Sequence, residues 1–272
     1  MFNSLAGQLQ NTISRSRLGV WCVRKVNNQC RAILGNAYGS TFRDIAKNGE
    51  ATVIQHVKES IKLAVDVGAN RGEWTQMVLQ TTGAEACLLF EPSSSALSEL
   101  RQRFADNSRV NIVGAAAGDS SGRLPFYEEP DAGELSTLVA GTTCTGEERT
   151  VQVTTLDSEI DRLGWPTVDY LKIDAEGYDF HVLRGARRLF ERRCVALGQF
   201  EYGNAWIYAG STLTYAMKWL GDLGYECFLL KNNRLYSPRP DMCGEYFAYS
   251  NYLFCHAGTR PLISSLVCAS AW

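Results

Sequence analysis

The chain has only three histidines and seven prolines in 272 residues, and its nine cysteines form no C-x-x-C pair and no cluster with histidine. That scatter argues against a zinc site, and the odd count argues against a disulfide framework. Cys87, Cys194, Cys227 and Cys255 fall in predicted core strands, where cysteine acts as a small hydrophobe, so a reducing, cytoplasmic setting is expected. Apolar runs long enough to cross a bilayer or to serve as a signal peptide are missing too, so neither membrane spanning nor secretion is expected. Charge of one sign is also absent. A formal net charge of −2 gives no general electrostatic reason to bind nucleic acid or an anionic membrane. Arg184, Arg187, Arg188, Arg192 and Arg193 form one local basic cluster, on and beyond a predicted helix over 180–190. Its apolar positions Val182, Leu183, Ala186, Leu189 and Phe190 would face a sheet, which leaves the arginines as a solvated outer face.

With 45% apolar residues, the chain can bury one large core plus an appendage, and one catalytic domain is expected. The most informative stretch is Val65-Asp66-Val67-Gly68-Ala69-Asn70-Arg71-Gly72, where an apolar strand runs into a glycine turn and a helix. A dinucleotide fingerprint needs a second glycine where Asn70 stands, and Asp66 would repel a pyrophosphate. Asp66 would instead suit a ligand carrying an ammonium and a sulfonium, while the turn amides at Gly68 and Asn70 meet its carboxylate. S-adenosylmethionine is such a molecule, and a nicotinamide oxidoreductase is disfavoured on the same grounds.

One βαβ step later the run Ala86–Phe90 ends in Glu91-Pro92, at about the separation of roughly twenty residues expected for an acid that accepts ribose hydroxyls. A third run, Val110 to Ala117, closes on Gly118-Asp119-Ser120-Ser121-Gly122. There the small residues Ala117 and Gly118 would admit an adenine and Asp119 would accept from its amine. The same residues also make an ordinary turn. The strand Val168–Ile173 then delivers Asp174, Glu176 and Asp179 within six positions. Asp174 and Glu176 read as functional, because strand ends are where open α/β sheets place chemistry, whereas Asp179 reads as a cap of the following helix. Glu201, at the next strand end, is either an acceptor-side group or a support for one. Tyr202, Trp206 and Tyr208 suit either a sugar face or the core, and Ser136 and Thr137 read as turn formers.

The order DVGANRG, FEP, AAAGDSSG, VTTLD and LKIDAEGYDFHVLRGA, spanning about Lys62 to His256, resembles the FkbM family of S-adenosylmethionine-dependent methyltransferases. Asp179 stands where that family usually has a longer acid. The resemblance implies a class I methyltransferase, Rossmann-like α/β fold: a mostly parallel seven-stranded sheet with an antiparallel last strand. It also implies methyl transfer to a hydroxyl of a sugar, glycan or polyketide-type small molecule. No Asn/Asp-Pro-Pro-aromatic tract points to nitrogen methylation. A catalytically silent adenosyl-binding module is the alternative, against which the acids around Asp174 argue.

Residues 1–60 read as an N-terminal helical segment ahead of a methyltransferase domain over 61–272. Leu18, Val20, Trp21, Val23 and Val26 are interleaved with Arg17, Arg24 and Lys25, and a second helix is predicted over 52–61. A lid or packing role is favoured over a dimer contact or a membrane-surface contact. Asp174, Glu176, Glu201 and His181 are candidate proton acceptors, with His181, one residue into a helix, better suited to packing. Asp174 and Glu176 are also the residues that would hold Mg²⁺. Metal-free chemistry is favoured, because no His or Asn follows at a spacing that fixes a third ligand. A homo-oligomer is compatible with all of this.

Overall fold

The computed structural model describes residues 2–37, 45–238 and 245–268. Its strands are β1 (Leu63–Val67), β2 (Ala86–Phe90), β3 (Val110–Val113), β4 (Ala116–Ala117), β5 (Gly122–Glu128), β6 (Glu147–Thr154), β7 (Val168–Ile173), β8 (Val195–Tyr202), β9 (Tyr225–Lys231), β10 (Arg234–Tyr236), β11 (Ser250–His256) and β12 (Val267–Cys268). A nine-stranded sheet runs in the order β12-β10-β9-β11-β8-β7-β1-β2-β3. From β3 to β8 every pair is parallel, and β11 then inserts antiparallel between β8 and β9. The seven strands from β9 to β3 are those the sequence leads one to expect. The two short edge strands are additions. Asn232 and Asn233, both at positive φ (51° and 60°), turn the chain so that β10 folds back on β9, and β12 then pairs with β10.

The helices are α1 (Phe2–Ser14), α2 (Arg17–Ala37), α3 (Ile45–Asn48), α4 (Glu50–Val57), α5 (Glu73–Thr81), α6 (Ser94–Arg103), α7 (Leu156–Leu163), α8 (Asp179–Arg184), α9 (Arg187–Glu191), α10 (Ala205–Tyr208) and α11 (Leu213–Asp222). Helices on both sheet faces close two apolar layers, because alternate strand residues point to opposite sides. Val65, Val67, Leu171 and Phe200 meet Phe180, Leu183 and Leu220 in one layer. Ala64, Tyr170 and Leu197 meet Val78 and Leu100 in the other. Val53, Ile54 and Val57 of α4 belong to that second layer at 0–3% exposure, so the segment just before β1 is part of the core. Over residues 5–37 of helices α1 and α2, in contrast, only Gly35 is buried.

Three sequence expectations differ in detail. The run Val110 to Ala117 splits between two sheets at Gly114, where a Cβ would lie 2.8 Å from Leu97. The expected helix over 180–190 breaks into α8 and α9 around Gly185, which packs so closely on Gly118 that a Cβ would sit 1.9 Å from its carbonyl oxygen. The excursion after Leu124 begins as strand β5, which pairs with β6 in a separate sheet ordered β4-β6-β5. Of the tail over 262–272, residues up to 268 form a 3₁₀ turn and β12, and 269–272 lie outside the described residues.

Candidate active site

Chain direction across the sheet reverses between β1 and β7, and at such a switch point the loops leaving neighbouring strand ends part to leave a crevice. Here it is a cavity of about 750 Å³, walled by Gly68 and Asn70 after β1, Glu91 and Pro92 after β2, and Ala117 of β4. Asp174 and Glu176 after β7, Glu201 of β8, and Ser136 and Thr137 of the loop after β5 complete the wall. Gly68 is required there. At φ 75°, a Cβ would fall 1.8 Å from the carbonyl oxygen of Asp174, so the two loops touch only because this residue has no side chain.

Glu91 is 5% exposed, and each carboxylate oxygen accepts one amide: Asn70 N–H at 2.7 Å and Ser93 N–H at 2.8 Å. Burial raises its pKa to about 7 against the pull of those two amides. Each oxygen keeps a lone pair for a ligand hydroxyl. Asn70 adopts φ 46°, and its Oδ1 is buried without a partner among the described residues. So is the indole Nε1 of Trp74, one turn further on in α5, although the ring itself packs on Tyr170 at 5.7 Å. Both residues wall the cavity, offering a ligand one unused acceptor and one unused donor.

Asp66 sits differently from its expected place. Its side chain is 1% exposed and is not part of the cavity wall; it accepts from Thr75 Oγ1 at 2.7 Å and faces Lys172 Nζ at 3.4 Å. Lys172 Nζ also lies 3.2 Å from Asp174 Oδ2. Burial works against the Lys172 charge, but Asp174, Asp66 and Glu50 outweigh it and hold its pKa above the usual lysine value. Asp66 therefore acts on the cavity from behind, by fixing the cation that fixes Asp174. Gly118 and Asp119 also stand outside the wall: Asp119 Oδ2 is engaged by His181 Nδ1 at 3.1 Å and Arg184 at 3.2 Å. His181 stacks on Tyr178 at 4.2 Å, in line with a packing role that ties α8 to the loop after β4. In α9, Arg187 pairs with Glu191 and Arg188 with Asp161.

Asp174, Glu176 and Glu201 converge, with one carboxylate oxygen from each lying within 4.8 Å of the others. Asp174 and Glu176 both stand beyond the end of β7 and meet in a turn. They do so because Glu176 takes φ 46° and Gly177 φ 100°, the latter pressed against Ala205. Burial, then Asp174, Glu176 and Asp179, push the Glu201 carboxyl well above its ordinary range, and it shares a hydrogen bond with Asp174. Asp179 is not the expected helix cap. Fully buried, it accepts from the amides of Ala175 (3.4 Å), Gly177 (3.1 Å) and Glu201 (3.3 Å), clamping the two acid-bearing loops together. Burial and then Asp174 raise its pKa to about 8.

Sequence reasoning missed Glu50. It enters the cavity from the start of α4, 4% exposed, held by Asn48, by Gln199 at 2.6 Å and by Asn251 at 3.4 Å, with burial raising its pKa. Its signal was weak, a lone glutamate at a helix start. Of the aromatic candidates, Tyr202 and Trp206 are buried and Tyr208 is exposed; only Trp206 walls the cavity. Thr137 Oγ1 donates to Glu176 O at 2.8 Å, and Ser136 Oγ donates to Gly133 O, so both hydroxyls brace loops.

Residues 66–227, more than half of the chain, match the Methyltransferase FkbM domain. The chain belongs to the FkbM methyltransferase family. That family, together with the cavity's chemistry, implies S-adenosylmethionine as the ligand. The residues fit that group: an acid-rich wall suits a cation, Glu91 suits a diol, and Trp74 and Asn70 have unused polar atoms. Methyltransferase FkbM from Methylobacillus flagellatus KT is 20% identical, with 71% of this chain and 43% of that one covered, at a TM-score of 0.44. SMU.1697c from Streptococcus mutans, whose crystal structure is a complex with SAH, is 10% identical over 76% and 94%, at 0.44. Spermidine synthase from Thermotoga maritima is 14% identical over 77% and 58%, at 0.43. The chain thus spans less than half the length of the Methylobacillus protein. No curated protein matches the sequence.

Proposed function

We propose that this FkbM-family methyltransferase methylates a hydroxyl oxygen of a sugar, glycan or polyketide-type small molecule, without a metal. The observation that supports this reading is the convergence of Asp174, Glu176 and Glu201 on one side of the cavity. A hydroxyl acceptor must lose its proton as its oxygen is alkylated, and an ordinary alcohol does not do so unaided at neutral pH. When bound, S-adenosylmethionine supplies a methyl group on a positively charged sulfur. Asp174, which shares a hydrogen bond with Glu201 and whose carboxylate Lys172 fixes at 3.2 Å, receives the hydroxyl proton. Glu91 orients a ribose through its free lone pairs, and the loop after β5, with Thr137 braced on Glu176, shields the site from water. Placement and exclusion of water are expected to supply most of the rate, with the proton acceptor adding about two to four powers of ten. The same three carboxylates offer oxygen ligands to a hard cation, so metal dependence is the test that matters.

The experiment is to supply purified protein with S-adenosylmethionine and a panel of hydroxyl-bearing glycans and polyketides, and to locate the added methyl by mass spectrometry. Oxygen methylation that survives EDTA is expected. A product methylated on nitrogen, or turnover abolished by EDTA and restored by Mg²⁺, would overturn the reading.

A further inference from the structure

Helices α1 and α2 carry an apolar surface that the fold does not use. Leu5, Leu9, Leu18, Val23, Val26 and Ile33 are each between 53% and 70% exposed. Along α2 the steps Leu18, Cys22, Val26, Cys30, Ile33, Ala37 keep to three or four residues, so these side chains form one stripe along the helix. Arg17, Arg24 and Arg31, seven apart, form a row on the opposite face. At the boundary Lys25 Nζ lies 5.6 Å from the ring of Trp21, which is 57% exposed. A soluble face would not keep such a stripe in water without a partner.

Charge decides which partner. Residues 1–37 hold Arg15, Arg17, Arg24, Lys25 and Arg31 and no Asp or Glu, while the whole chain is net negative, so the excess acid lies in the catalytic body. Packing α2 on α2 of a second copy would set two basic helices side by side with no acid on either to pair them. Of the N-terminal segment, the cavity wall includes Ile45 and Glu50 but none of residues 2–37, so the stripe lies away from the wall. No described helix is long and apolar enough to cross a membrane, and α2 is interrupted by its four cations. An apolar stripe, a basic opposite face and Trp–Lys at the boundary suit a helix lying in the plane of a bilayer surface. We propose that α1 and α2 dock the enzyme on an anionic phospholipid bilayer, with the apolar stripe in the acyl boundary and the basic row at the headgroups.

The test is sedimentation of the full chain with phosphatidylcholine vesicles, with and without phosphatidylglycerol, at low and high salt. Binding at least about tenfold tighter to the anionic vesicles and weakened by salt is expected. Arg24→Gln with Lys25→Gln should reduce partitioning about thirtyfold, and Val26→Asp with Ile33→Asp should abolish it. Both pairs lie outside the core and the cavity, so thermal melting and cofactor affinity should stay at parental values. Failure of the parent to sediment with anionic vesicles, or equal binding by both variants, would overturn the proposal. So would a concentration-dependent dimer in vesicle-free ultracentrifugation that Val26→Asp with Ile33→Asp dissolves, since the stripe would then belong to a second copy.

Discussion

Glu91 should make cofactor binding depend on pH with a sign the structure fixes. Its carboxyl, buried and raised from 4.5 to about 7, is largely protonated in the empty site at pH 6 and largely ionised at pH 8. Ribose hydroxyls donate to the ionised form, so binding must draw off the proton and the pKa falls in the complex. Affinity should therefore weaken as pH drops below 7, by about tenfold between pH 8 and pH 6, with proton release on binding below pH 7. Two hydrogen bonds to a charged acceptor contribute about 1.5–3 kcal/mol each before water compensates, so Glu91→Gln should cost about 3 kcal/mol, or roughly a hundredfold in Kd. The same shift acts on folding in the opposite sense to a salt-bridged acid. A carboxyl with a raised folded pKa favours the fold when protonated, so stability of the empty protein should decline from about pH 4.5 to 7, by an upper bound of about 3 kcal/mol. Calorimetry in buffers of different ionisation enthalpy measures both affinity and proton release. A Kd that is flat from pH 6 to 8, or a slope unchanged in Glu91→Gln, would refute the reasoning.

Asp174→Asn should lower turnover by about two to four powers of ten with cofactor affinity nearly unchanged, read by product formation and calorimetry in parallel; full activity would remove Asp174 from the proton path. Lys172→Met should destabilise by about 3–5 kcal/mol because Asp66, 1% exposed, loses its counter-charge, and adding Asp66→Asn should recover part of that in denaturant melts. Gly68→Ala should cost more than the roughly 1 kcal/mol of a positive-φ alanine and impair turnover too, since its Cβ would displace the Asp174 carbonyl; an unchanged melt would contradict the loop contact. Trp74→Phe keeps the ring against Tyr170 but removes the unused indole N–H, so cofactor affinity should fall about fivefold to tenfold with stability kept.

The strand-end signals were legible because each is local. A short apolar run followed by glycine or an acid names a strand and its carboxyl end without knowledge of the rest of the fold, and Gly68, Glu91, Asp174 and Glu201 all reach the cavity wall. The convergence of Asp174 with Glu176 was readable for the same reason, since Gly177, four residues past the end of β7, announces the turn. The edge strands β10 and β12 were not. At three and two residues they carry too little pattern to stand apart from loop, and pairing with the existing sheet edge is what defines them.

The support behind the site was illegible for a different reason, which is register. Asp66 looks like a ligand-facing acid when β1 is read alone, and only the parallel register that sets Asp66 directly opposite Lys172, and Lys172 opposite Gln199, shows it facing a buried cation. Side chains opposite one another in register share a sheet face, so a single row across β1, β7 and β8 carries Asp66, Lys172 and Gln199, and Glu50 reaches Gln199 from α4. A trace of this existed in sequence. Lys172 sits between Leu171 and Ile173 in a strand otherwise apolar enough to be buried, and burying an ammonium costs several kcal/mol unless an acid meets it. Asp66 in an equally apolar strand is the complementary anomaly, and pairing the two from their shared implausibility would have predicted both the adjacency of β1 with β7 and the retreat of Asp66 from the cavity wall.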